Sequence, residues 1–188
     1  DLNRAVKKAV GARAPMPVVG SYNRQPLKPV YHLVDDFNKN FPDNYYLAMP
    51  SLYVVGRAQD VHDNIRGNHK LIGDKRIIPW LTAGTYGEFP SKNLEAMILE
   101  TLLNGGSGTT YYWFGDFETA DDWYHHAKAY AQLAPYEDLV VDGEVLDLKT
   151  DNSELTYSTL RKGPEMLILV GNYAKTKHSG TRITLPFK

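Results

Sequence analysis

Two carboxylates stand out for the company they keep. Glu88 lies in segment 82–89 (TAGTYGEF) and Asp116 in segment 113–118 (WFGDFE), both dense in aromatic and hydroxyl side chains. A carboxylate so placed can attack, move a proton or orient a ligand hydroxyl. Tyr86 and Trp113 beside them offer flat apolar faces on which a ligand can stack. Strand alternation lets only some of Tyr112, Trp113 and Phe114 face inward, and Trp113 is preferred. Asn23, with Ser21, Tyr22 and Arg24, and Tyr53 are candidate polar lining from other segments. Each residue also has a plain structural reading. Glu88 can be a loop carboxylate or the lead-in to a helix, Asp116 can bond backbone amides in its own loop, and the aromatics can be packing.

These segments need elements to hold them. Ile77–Thr82 is apolar and uncharged and Thr109–Phe114 is rich in Tyr, Trp, Phe and Thr, so both suit buried strands. Between them Leu94, Met97, Ile98, Thr101 and Leu102 follow a helical stripe, started at Pro90-Ser91 and stopped at Gly105-Gly106. Parallel strands joined by a helix put chemistry beyond their carboxyl ends, where Glu88 and Asp116 lie.

The same grammar runs through the chain. Leu2, Ala5, Val6, Ala9 and Val10 give an opening helix, Pro17–Tyr22 a strand, and Leu27, Val30, Tyr31, Val34 and Phe37 a second helix. Tyr45–Met49 is the next strand. Val61, Ile65 and Ile72 mark a weaker helix interrupted by Gly67. After the strand at 109 a helix starts at the N-cap Thr119, with Asp121 and Asp122 in its first turn and an inner face of Trp123, Ala127, Tyr130, Ala131 and Ala134. This alternation argues a parallel sheet with right-handed crossovers. From Leu139 the character changes. LVVDGEVL carries the Asp-Gly signal of a tight hairpin, and Ser153–Arg161, Glu165–Ala174 and Thr181–Phe187 read as an antiparallel meander joined at Gly163-Pro164 and Ser179-Gly180. Two parts are therefore expected, 1–138 and 139–188.

The chain has 188 residues, 43% of them hydrophobic, which is enough to bury a core. Its net charge is −1, from 21 basic and 22 acidic side chains, so no basic excess marks a nucleic-acid or membrane surface. No apolar run is long enough for a transmembrane helix. Zero cysteines exclude disulfide and thiol chemistry and lean toward a reducing compartment.

Other tempting patterns fail on context. Asn104–Thr110 (NGGSGTT) is glycine-rich, but phosphate cradles run from strand to helix, whereas this one ends a helix. His125-His126 point to different sides of a helix and have no third ligand nearby in sequence, so neither a metal nor a cofactor is expected. His62 and His69 do not form a zinc-binding His-Glu-x-x-His, and 147–158 lacks the glycine and terminal glutamate of a calcium loop.

In IIPWLTAGTYGE, LETLLNGGSGTTYYWFGDF, AQLAPYEDLVVDGE and EMLILVGNY the chain resembles the C-terminal half of a (β/α)8-barrel glycoside hydrolase and the start of the β-sandwich that follows such barrels. The resemblance is architectural and spans nearly the whole chain. It implies an α/β fold, half a barrel of four strand–helix units followed by a small antiparallel β part. It also implies a partner, an N-terminal barrel half on a separate chain or a second copy, and an oligosaccharide ligand in an extracellular or lysosomal-type compartment. In the large retaining clan the nucleophile comes from the seventh strand's end, which points to Glu88, with the acid/base on the fourth strand. That clan sets its nucleophile directly after a Thr, and here Thr82 is followed by Ala83. An active hydrolase and a non-catalytic carbohydrate-binding or structural subunit both remain open.

Overall fold

The structure, a computed structural model, describes residues 18–21, 47–50, 52, 57–73, 77–83, 90–111, 117, 119–174 and 176–185. The helices expected at 2–10 and 27–37 lie outside them. Strand β1 (Val18–Ser21) pairs in parallel with β2 (Leu47–Pro50), from Val18 beside Leu47 to Ser21 beside Pro50. Strand β3 (Trp80–Leu81) pairs in parallel with β4 (Thr110–Tyr111). The Leu52 N–H donates to the Trp80 carbonyl at 2.8 Å, so the chain just past β2 runs beside β3. The two parallel pairs thus follow one another in chain order. Among the described residues no pairing closes the strands into a barrel.

Helix α1 (Ala58–Ile72) leads into β3, and α2 (Lys92–Leu103) links β3 to β4. Helix α1 runs straight through Gly67, the expected interruption. One glycine costs about 1 kcal/mol, less than burial of Val61 and Ile65 returns at roughly 1.5–3 kcal/mol each. It ends at Gly73, whose φ of 79° is left-handed and whose N–H caps the His69 carbonyl at 2.8 Å. All five stripe residues of α2, Leu94, Met97, Ile98, Thr101 and Leu102, are buried as expected. Helix α2 packs against α1 on one flank and α3 (Ala120–Leu133) on the other, so the three helices lie side by side in chain order.

Helix α3 begins where expected. The Thr119 hydroxyl accepts the Asp122 N–H, and the Asp122 carboxylate accepts the Thr119 N–H, a reciprocal cap. Its inner face differs from the expected one. Of the expected residues Tyr130 packs against the core, but Trp123, Ala127, Ala131 and Ala134 are exposed, Trp123 to 46%, and the buried residues are Asp122, Ala129 and Leu133. The inward row is partly polar, with His125 bonded to α2 and His126 to β4, so hydropathy alone picks the wrong side.

The Asp142-Gly143 hairpin does not form. A short 3-10 turn (Ala134–Tyr136) leads into helix α4 (Glu137–Asp142), and Gly143 caps it by donating to the Leu139 carbonyl at 2.9 Å. The antiparallel strands follow. β5 (Glu144–Val145) pairs with β7 (Thr156–Lys162), which pairs along its length with β8 (Glu165–Gly171) through the turn at Gly163-Pro164. β9 (Ile183–Thr184) pairs with β6 (Lys149–Thr150) rather than with β8, so the tail is two small sheets, not one meander. Helix α2 meets both β7 and β8, and Leu160 of β7 joins the apolar cluster of Ile65, Leu81, Met97 and Ile98. Helix α2 is therefore covered on nearly every side, which is why Glu100 and Asn104 are buried along with its apolar stripe.

Candidate functional site

The six residues singled out from the sequence, Glu88, Tyr86, Trp113, Asp116, Asn23 and Tyr53, all lie outside the described residues. The elements that precede them are described. Asn23 follows β1, Tyr53 follows β2, Tyr86 and Glu88 follow β3, and Trp113 and Asp116 follow β4. At the end of β3, Leu81, Thr82 and Ala83 are all buried.

Sequence reasoning missed a second constellation, between the helix layer and the antiparallel strands. Its hub is Glu100 on α2, which is 0% exposed. Glu100 Oε2 faces His62 Nδ1 of α1 at 3.0 Å and Asn104 Nδ2 at 2.9 Å, and it accepts the Ser158 hydroxyl of β7. Glu100 Oε1 accepts the Tyr173 hydroxyl, just past β8, at 2.5 Å. The donors are joined to each other as well: Asn104 Nδ2 donates to Ser158 Oγ at 2.8 Å, and His62 Nδ1 lies 2.9 Å from that oxygen. Such cross-linking gives the buried carboxyl oxygens the hydrogen-bond partners that burial requires. Burial first, then the Glu100 charge and hydrogen bond, push the Tyr173 phenol well above its ordinary pKa, so it remains a donor. A serine, a histidine and a carboxylate side by side suggest a nucleophile relay, but the geometry rules one out. Ser158 and Glu100 share the same imidazole nitrogen, and Ser158 is fully buried. One signal could have found this hub: a single Glu inside the otherwise apolar run AMILETLL of a helix that the neighbouring elements bury all round.

An ion cluster continues the network. Arg66, on the same side of α1 as His62, donates from Nη1 to Asn104 Oδ1 at 3.1 Å, from Nε to Asp147 Oδ1 at 3.1 Å, and from Nη2 to Asp147 Oδ1 at 2.5 Å and to the Leu146 carbonyl. Lys70 takes the other Asp147 oxygen at 3.0 Å. The Arg66 hydrogen bonds, helped by Lys70 against partial burial, hold the Asp147 carboxyl below its ordinary pKa. Beside this cluster a groove of about 520 Å³ opens between α1 and the segments around β6 and β7, lined in part by His62, Asp63, Arg66, Lys70, Asp147 and Tyr157.

On the far side of the helix layer, adjacent histidines serve different elements. His125 Nδ1, Lys128 and Gln132 donate to Glu95 of α2 at 2.9, 3.0 and 2.6 Å. Burial opposes the Glu95 charge, but the three donors together hold its pKa below the ordinary value. His126 Nδ1 faces the Tyr111 hydroxyl at 2.7 Å within an aromatic group that includes Phe117 and Trp123. Burial lowers the His126 pKa and raises that of Tyr111, so Tyr111 donates to a neutral ring. Among the described residues no group of three or more His, Asp or Glu side chains is placed to hold a metal ion, and no helix is long and apolar enough to cross a membrane. No protein-family model matches the chain, and comparison with curated proteins and with solved structures finds no match either.

Proposed function

We propose that the chain is half of a glycoside hydrolase-like (β/α)8 barrel that binds or hydrolyses an oligosaccharide beyond the carboxyl ends of its parallel strands. One observation carries the reading. The parallel pairs follow one another in chain order, and α1, α2 and α3 lie side by side in the same order. Right-handed crossovers that always advance in one direction keep the helices on one face of the sheet, the winding of a barrel; doubly wound sheets reverse direction and carry helices on both faces. Asn23, Tyr53, Tyr86 with Glu88, and Trp113 with Asp116 each follow one of these parallel strands in sequence. Glu88 is the nucleophile, Trp113 and Tyr86 take the sugar face, and Asn23, Tyr53 and Asp116 hold hydroxyls. The remaining strand–helix units, with the acid/base, come from a complementary barrel half, and the compartment is extracellular or lysosomal.

A second reading has its own support. Ala83, buried at the end of β3, stands where the retaining clan sets its carboxylate after a Thr. It favours a non-catalytic, carbohydrate-binding or structural subunit built on the same scaffold.

Titration of the purified protein with a panel of β- and α-linked oligosaccharides, followed by product analysis, tests both. Saturable binding weakened by about 1 kcal/mol or more in Trp113→Ala, with unchanged folding, supports the shared site. Hydrolysis abolished in Glu88→Gln makes it an enzyme; binding without turnover makes it a lectin-like subunit. Absence of binding to every oligosaccharide overturns both.

A further inference from the structure

We infer that the groove between α1 and the segments around β6 and β7 is a binding site for a neutral, hydroxyl-bearing small molecule such as a sugar or polyol, with His62 Nε2 as its central polar contact. His62 Nδ1 is engaged on the inner side, 3.0 Å from Glu100 Oε2, 2.9 Å from Ser158 Oγ and 3.1 Å from Asn104 Nδ2. That leaves Nε2 as the ring nitrogen for a ligand, and a hydroxyl can pair with it as donor or as acceptor. Among the described residues no side chain or backbone group bonds Nε2. The buried side-chain polar atoms without a partner among the described residues are Asn68 Oδ1 and Thr159 Oγ1, so Nε2, absent from that pair, opens to the groove that His62 lines. A fully buried carboxylate that fixes one imidazole nitrogen and leaves the other facing an open cavity pre-orients the ring toward a ligand.

The charge balance selects the ligand. Two cations, Arg66 and Lys70, and two carboxylates, Asp63 and Asp147, line the groove. Arg66 and Lys70 are both bound to Asp147, so a free anion has to displace an internal carboxylate already seated on them. A neutral ligand meets no such competitor. It finds the His62 ring nitrogen, the Ser153 hydroxyl and the ring of Tyr157 for a C–H face. A volume of about 520 Å³ suits a mono- or disaccharide. The inference is independent of the barrel reading, because the groove is built by α1 and the antiparallel strands and uses none of the strand-end residues.

Carbon–proton NMR of the histidine Cε1 positions in the purified protein, titrated with glucose and with inositol, tests it. Sodium acetate and inorganic phosphate serve as anionic probes. The expected result is a saturable shift of the His62 resonance, assigned by its loss in His62→Gln, while the other five of the six histidines stay still. Ser153→Ala, outside the Glu100 network, should weaken binding about threefold to tenfold, the scale of one hydrogen bond. No saturable shift up to about 200 mM probe, well beyond a millimolar Kd, overturns the site. So does acetate or phosphate binding at least as tightly as the neutral probes. Should His62→Gln fail to fold, the response of the unassigned histidine signals in Ser153→Ala and Tyr157→Phe gives the same decision.

Discussion

Tyr173 donates its hydroxyl to Glu100 Oε1 at 2.5 Å, joining residues 73 positions apart and pinning the end of β8 to the middle of α2. Four side chains from α1, α2, β7 and the segment after β8 converge on that one carboxylate. The neutral amide in Glu100→Gln keeps the shape but places an N–H against a donor. Each hydrogen bond to a charged group contributes about 1.5–3 kcal/mol, so the substitution should destabilise the protein by at least one such increment. Tyr173→Phe should lose a single increment. Gly171→Ala should approach the same loss indirectly, because a Cβ there would lie 2.5 Å from the Tyr173 ring. Urea unfolding of the three variants, read by circular dichroism, measures this. An unchanged midpoint for Glu100→Gln would remove the carboxylate from its role as anchor.

His126 makes stability depend on mildly acidic pH. Burial holds its folded pKa below the unfolded value of about 6.5. The unfolded chain therefore binds the proton first, and stability is fully present above about pH 6.5 and declines as pH falls toward the folded pKa. Protonation also removes the Nδ1 lone pair that accepts from Tyr111. Replacing His126 by Phe should flatten this part of the stability profile. Glu95 and Asp147, both depressed, act in a separate window below the ordinary carboxylate range, where acid titrates them in turn. Thermal melts at closely spaced pH values separate the two windows. A profile flat from pH 7 to pH 5 in the unsubstituted protein would contradict the His126 assignment.

Thr119→Ala tests the start of α3. The hydroxyl accepts the Asp122 N–H at 3.2 Å and also donates to the Asp122 carboxylate at 2.9 Å, so alanine loses both contacts. Caps of this kind contribute about 1 kcal/mol. Ser makes the same bonds and should restore most of it. Equal loss in Thr119→Ser and Thr119→Ala would mean that methyl packing, not the cap, matters there.

The legible parts of the fold were those where one rule acts alone. The stripe of α2 and the cap of α3 are set by local spacing, and both stand in the structure as expected. The inner face of α3 was illegible because His125 and His126 turn inward to partners on α2 and β4, and a polar residue's partner is invisible in hydropathy. Asp142-Gly143 misled for a related reason. Gly-after-Asp marks a hairpin turn or a helix end equally well, and here Leu139 packs inward and continues a helix up to it. The Glu100 network was illegible in kind. Its members lie 4 to 73 residues from the hub, with no periodic spacing between them. At the strand ends, the sequence marked Glu88 and Trp113 by composition and the fold accounts only for the strands that precede them.

Assembly is the sharpest test of the half-barrel reading. Strands β1 and β4 bound the described parallel pairs, and each carries one row of backbone N–H and C=O groups with no strand beside it among the described residues. Parallel sheets are stable when both faces and their neighbours are covered, and an exposed edge templates association. Trp123, Phe117 and His126 form an aromatic surface on α3 whose other flank, through His125 and Lys128, is already taken by α2. A further strand–helix unit beside β4 would cover both the edge and that surface. Sedimentation of the 21.2 kDa chain should therefore show self-association or a heterogeneous species. Supplying a complementary barrel half should convert it to a single compact complex and lower the accessibility of Trp123 to an aqueous fluorescence quencher. A compact monomer that unfolds cooperatively on its own, across a range of concentrations, would instead make the parallel strands a small open sheet complete in itself.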